Sequence, residues 1–510
     1  ARLRGPRTPD PPSFAFQTHL PMPVRASIPS LLTLLFLTPY GAAGAFNVTI
    51  GSEATKGGAF VSRVWTPTAL SSHISIADLI VQLNAGNVTI NSNGSGSEPG
   101  DITLAAQLPL DDITATVARS LILNAQRNLD LNAAIIQNGP KGDNVRNQVG
   151  LFLNFDLAST GGVLTSAVSM DTGGGGVTIM GRNVVFNTSA NINTGGGTFN
   201  LNVTGAFTAN GGVVSTQGGS VTVASVGGIS TSGDIVTTGG NVVIAASGTG
   251  LSFLGGTTID TRGGAGMGMV DLRANAADLN LAASSDISSG PTGKVKLYAA
   301  VDLVAAGTIT AGTGGADLDA LDDVVVQAAL TSSGVVDILA TDDVTIAANV
   351  TAFNVAAVTG VMQVAGQDVA ITAGTVNTKG KELVLTGTAT AGMTGGELLT
   401  NGGSLTITAP VLACLGLRAN TAGGGATLTG SNASTIGGLL VTSGGNVLVS
   451  LKTNGAALTV KGDIIVTGGA GAGRIELRTM SGRVLLFNGA DLTYGSGGIL
   501  FSGCAGVTGG

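Results

Sequence analysis

A glycine pair followed by alternating apolar residues returns every 21 to 24 residues along this chain. Clear copies are Gly218-Gly219-Ser220-Val221-Thr222-Val223, Gly239-Gly240-Asn241-Val242-Val243-Ile244, Gly402-Gly403-Ser404-Leu405-Thr406-Ile407 and Gly444-Gly445-Asn446-Val447-Leu448-Val449. A unit this short cannot bury an apolar face alone, so the chain must stack unit upon unit. The 510-residue length alone would suggest three or four domains, and the short fixed period overrides that expectation.

Cutting at the glycine pairs gives segments such as 194–217, 218–238, 402–422 and 444–467. Inside each, short runs alternate apolar and polar residues, as in Val221/Val223 with Ile229 and Ile235, or Val336/Ile338 with Val344/Ile346. A period of two is the strand signature. Three short strands per segment, separated by Gly, Asn, Asp, Ser and Thr, make one turn of a parallel β-helix, whose backbone groups pair with the turns above and below. The expected fold is therefore all-β, a β-solenoid of roughly 20 coils of about 21–24 residues, about 90 Å long at the inter-strand spacing. Two longer segments, 263–289 and 468–494, begin with Gly-Ala-Gly insertions and are expected to bulge as loops. The best helical candidate is Ile76 to Leu83. A β-propeller would need longer, aromatic-marked blades, and collagen would need glycine at every third position.

Hydrophobic residues make up 43% of the chain, which argues against disorder, and aromatics only 4%, which argues for a thin aliphatic interior. Residues 1–21 have the look of an upstream non-structural segment. Residues 22–45 carry Arg25, the apolar run Leu31 to Leu37 and the small residues Ala43-Gly44-Ala45, the layout of a signal peptide. An amino-terminal cap is expected over 46–99 and the solenoid over 100–510, continuing in a longer polypeptide. Setting residues 1–45 aside removes four arginines and one aspartate, so the net charge moves from −7 to −10. An acidic surface of this kind disfavours nucleic acid, whose phosphates need Lys and Arg clusters. Asp outnumbers Glu by 25 to 5, in keeping with turns and strand ends rather than helices.

Residues 72–139 have an order of their own: a helical stretch, then Asn87-Val88-Thr89-Ile90, then Gly100-Asp101-Ile102-Thr103, then Leu121-Ile122-Leu123-Asn124-Ala125 running on to Asn128-Leu129-Asp130-Leu131-Asn132. This order resembles the large bacterial exoproteins of the filamentous haemagglutinin type over about 65 residues. The resemblance implies a right-handed parallel β-helix, exported by a Gram-negative cell through an outer-membrane partner and displayed as an adhesin-like passenger. It implies no catalytic residue. No NPNG or NPNL element of the two-partner secretion members is present.

Candidate chemistry is sparse. His19 and His73 are the only histidines, no GxSxG elbow accompanies them, and His73 is expected to be a partly exposed residue of the cap. Cys414 and Cys504 lie 90 residues apart, too many coils for a disulfide. Asp322-Asp323 and Asp342-Asp343 lie 20 residues apart, about one coil, so their carboxylates are candidates to stack and hold calcium; no other cofactor is expected. The simpler reading makes them turn aspartates at coil corners. No basic residue lies between Lys296 and Lys379, which weakens a polysaccharide-cleaving site there. Thr-x-Thr occurs at Thr308/Thr310, Thr388/Thr390 and Thr406/Thr408, not one coil apart, so an ice-binding ladder is not expected.

These readings lead to a secreted or surface-displayed noncatalytic β-solenoid, an adhesin-like passenger or rigid stalk. Its expected partners are host or neighbouring-cell surfaces, extracellular glycans, or further copies of itself. The alternatives are a β-helix polysaccharide lyase or hydrolase and a fibre-forming protein. An enzyme should place Asp beside Arg, Lys or aromatic residues on successive coils, whereas a stalk should show uniform faces.

Overall fold

The computed structural model describes residues 44–137, 148–264, 266–355, 357–469 and 472–509. The expected segment 1–21 and the signal-like segment up to residue 43 lie outside them, as do residue 265 and residues 470–471 of the two glycine-alanine insertions. The described chain is a β-solenoid of about 20 turns, its strands stacked in parallel ladders.

One turn shows how the sequence makes the fold. Val221–Ser225 lies on a first sheet (A), Ile229–Thr231 on a second (B) and Asp234–Val236 on a third (C). The next turn repeats the order with Val242–Ala246, Leu251–Phe253 and Thr258–Asp260, each pairing in parallel with its counterpart. Because side chains alternate, Val221, Val223, Ile229 and Ile235 all point inward and are buried. Parallel register then stacks like on like. Val177, Phe199, Val221, Val242, Val270, Val295, Ala316 and Val336 form one interior column, each the partner of the next. The core is thus a continuous aliphatic filling, with Phe186 edge-on to Phe207 at 5.5 Å where small neighbours leave room.

The corner from sheet C back to sheet A explains the glycine pair. In Thr216-Gln217-Gly218-Gly219 the buried Thr216 hydroxyl donates to the Gly219 carbonyl, satisfying a group the bend would otherwise strand. Gln217 and Gly218 both take positive φ, 49° and 109°. Gly219 has a different reason: a Cβ there would overlap the Gly197 carbonyl of the turn below. The same Thr-to-Gly hydrogen bond recurs at Thr237, Thr400 and Thr442, each at 2.5 Å. The visible glycine repeat is therefore one half of a Thr-x-Gly-Gly corner.

The amino-terminal region departs from this plan. Gly58–Val61 and Val64–Pro67 form the one antiparallel strand pair among the described residues, with Trp65 buried against Phe60 at 5.1 Å. A helix, Ile76–Ala85, occupies the expected position; Ser75 caps it by accepting from the Asp78 N–H at 3.0 Å, and Leu79 and Leu83 bury its inner face. The region read as a cap also starts the ladders. Val48–Gly51 pairs in parallel with both Ser72–Ser75 and Ile102–Leu104, the latter the first of the sheet B strands that follow.

Candidate functional site

The aspartates singled out by sequence sit at the corner leading into sheet B, just before Val324–Val326 and Val344–Ile346. One carboxylate per turn lines this corner over five turns: Asp278, Asp302, Asp323, Asp343 and Asp368. The Asp343 N–H donates to Asp323 Oδ1 at 2.9 Å, the Asp323 N–H to Asp302 at 3.3 Å, and the Asp302 N–H to Asp278 at 3.3 Å. At the far end the Thr390 N–H donates to Asp368 at 2.9 Å. Asn128 and Asn183 accept from the following turn in the same way, so the position requires an acceptor oxygen rather than a charge.

Of the four predicted residues, Asp322, Asp323 and Asp342 bring one oxygen each within 4.8 Å of one another, and Asp343 falls outside this trio. Loss of hydration raises the Asp322 carboxyl above its ordinary pKa, with Asp323, Asp302 and Asp342 adding repulsion. Asp343 is raised for the same first reason, then by Asp342, Asp368 and Asp323. The trio offers the hard oxygens calcium takes, but Asp323 already accepts from a backbone N–H. Asp323 displays the turn-aspartate role directly, while Asp322 and Asp342 flank the corner without such a bond.

A second constellation lies on the outer face of sheet A. Parallel register places Asp271, Lys296, Asp317 and Asp337 in one column and Arg273, Tyr298, Asp319 and Leu339 in the next. Arg273 forks onto Asp271 with bonds of 2.8 and 2.6 Å, and Lys294 pairs with Asp317 at 2.5 Å. Between these pairs, Lys296, Tyr298 and Asp319 have no hydrogen-bond or ion-pair partner among the described residues. Burial raises the Asp319 carboxyl, with Asp317 and Asp337 raising it further against the pull of Lys296 and Lys294. Asp337 is raised by burial and then by Asp317, against Lys294.

Counting along the chain had set the basic residues apart from the aspartates. Stacking brings Lys294 and Lys296 one turn below Asp317 and Asp319. The spacings along 271, 296, 317 and 337 are 25, 21 and 20 residues, and this unevenness is what hides the shared column in the sequence. The faces of this solenoid are therefore not uniform.

His73 corrects an expectation. It is buried rather than partly exposed, because the Gly51–Gly57 connection folds back over it and Lys56 bridges to its backbone. Its Nδ1 lies 4.0 Å from Glu53, itself paired with Lys56 at 2.9 Å, and its Nε2 is buried without a partner. The histidine lines a cleft of about 360 Å³ with Thr49, Ser52, Glu53, Lys56 and Ser71. Cys414 and Cys504 are both free thiols; Cys414 is buried and its pKa is pushed up to about 12. Thr406 and Thr408 stack one turn below Thr427 and Thr429, and the columns pass to Leu448 and Ser450 in the next turn, so no threonine ladder continues.

The chain matches no model of a known protein family, and no curated protein is similar to it.

Proposed function

We propose that this protein is a noncatalytic, surface-displayed β-solenoid, acting as a rigid stalk or adhesin-like passenger that meets other surfaces through its outer faces. The observation that supports this most is the continuity of the three ladders. From Val88–Asn91 to Ile499–Ser502 every sheet A strand hydrogen-bonds the strand one turn on, over a single apolar core. Bending such a stack means breaking backbone hydrogen bonds and packing together, so it transmits position along its axis. The order of motifs over residues 72–139 and the signal-like segment 22–45 support export to the outside of a bacterial cell.

The polysaccharide-acting alternative is favoured by the outer face of sheet A, which is not uniform and sets Asp317 and Asp319 beside Lys296 and Tyr298 on successive turns, the arrangement expected of an enzyme. In that chemistry two carboxyl groups divide the acid and base roles. The test is surface labelling of expressing cells together with reducing-end release from polysaccharides by the purified chain. A labelled surface without hydrolysis supports the stalk. Release that disappears in Asp319→Asn replaces it with the enzyme.

A further inference from the structure

We infer that the outer face of sheet A between Asp271 and Asp337 binds a neutral, hydroxyl-rich linear glycan, with Lys296, Tyr298 and Asp319 as its contact residues. The inference rests on the surface-contact reading above and names the face and the ligand class.

Three features carry it. First, the polar groups are held in place: Arg273 is fixed by its fork onto Asp271, which is buried, and Lys294 by Asp317. Second, the groups between them are unspent. Lys296 offers three donors, the Tyr298 hydroxyl donates and accepts, and the Asp319 carboxylate accepts at four lone-pair sites, none of them used by another described residue. A half-buried carboxylate without a hydrogen bond is costly in the free protein, and ligand hydroxyls relieve that cost. Third, the column containing Asp319 sets it between the Tyr298 ring and the partly exposed Leu339, so apolar contact flanks the acceptor on both sides. Sugar rings present this same mixture of hydroxyls and apolar C–H faces.

The charge arrangement selects among polymers. Asp271 answers Arg273 and Asp317 answers Lys294, leaving Lys296 beside Asp319, with Asp337 one turn beyond Asp317. An anionic chain would meet these two carboxylates, whereas the hydroxyls of a neutral one can use Lys296, Tyr298 and Asp319 together. Both columns run parallel to the solenoid axis, one residue per turn, which suits an extended linear chain lying along the face.

The test is isothermal titration of the full chain with cellohexaose, xylohexaose and mannohexaose at neutral pH. At least one hexasaccharide should bind saturably. Tyr298→Ala, Lys296→Met and Asp319→Asn should each weaken it about tenfold, the effect of losing one hydrogen bond to a charged group or one ring contact. Thr222→Ala, on the same face three turns away, should bind as wild type. Circular dichroism of each variant checks folding, and Tyr298→Phe, which keeps the ring, should bind more tightly than Tyr298→Ala. Absence of binding by all three sugars overturns the inference, as does unchanged binding in Tyr298→Ala and Asp319→Asn. Solution scattering separates the two readings: an extended envelope without sugar binding sinks this inference alone, whereas a compact envelope sinks the stalk itself.

Discussion

The turns between Thr194 and Ala246 and those between Lys294 and Asp368 share one interior and differ outside. Both fill the core with Val, Leu and Ile in matching register. The first group closes each turn with Thr-x-Gly-Gly and shows Asn200, Thr222 and Val243 outward on sheet A. The second puts Lys296, Asp317 and Asp337 in the same outward column and aspartates at the corner into sheet B. The residues between Lys296 and Lys379 carry nine aspartates and no basic residue, nearly the whole net charge of the chain without residues 1–45. The lesson is that one interior and one ladder register hold both groups of turns, while the residues of the outer columns differ in charge without disturbing either.

The harshest way to break this comparison is at a corner. Gly219→Ala sets a Cβ into the Gly197 carbonyl, where only backbone movement makes room, and should cost about 3 kcal/mol. Chemical denaturation would measure it, and a cost near zero would show that the glycine pair is not a steric requirement. The next test asks whether the interiors are alike. Leu201→Ala in the neutral turns and Leu318→Ala in the acidic turns each empty a fully packed inward position, and each should lose about 3 kcal/mol. Unequal losses would mean that the outer charges reach the core.

The smallest expected effect sharpens the outer difference through pH. Asp319 and Asp337 hold their protons more tightly in the folded chain than in the unfolded one. Whatever they contribute to stability is present below the ordinary carboxylate pKa and is lost as pH rises through their raised values. Asp319→Asn with Asp337→Asn should therefore raise the melting temperature at neutral pH, with the gain vanishing below about pH 4. Glu476 runs the other way. Its hydrogen bonds with Arg478 hold its carboxyl below the usual range, so its stabilisation is present at neutral pH and is lost on acidification. Glu476→Gln should lower the neutral melting temperature by a small margin that closes in acid. Shifts of the same sign in the two variants would contradict the assignment.

Much of the fold was legible along the chain. The repeat itself, the alternation at Val221/Val223 and Val336/Ile338, and the helix near Ile76 all reappear in three dimensions, because each depends on residues close in sequence, though the turns run from 20 residues to 33 rather than 21 to 24. The Asp pairs were legible as stacked groups for the same reason, one period apart. Less visible was the hairpin of Gly58–Val61 with Val64–Pro67, whose Ser62 and Arg63 both take positive φ without any glycine to mark the turn. The burial of His73 is not legible in the sequence, because its cover is a loop whose path no local pattern records. Lys296, Tyr298 and Asp319 were each visible as letters, but their meeting depends on register, and a variable period hides register.

By itself the sequence determined the repeat, the strand character of each run and the aliphatic interior, since period-two alternation and corner chemistry are local properties of the chain. Tertiary structure alone decided which residues share an outer column. A shift of one residue at a corner turns every following side chain to the other face, so neighbours a turn apart are settled only when the turns hydrogen-bond to each other.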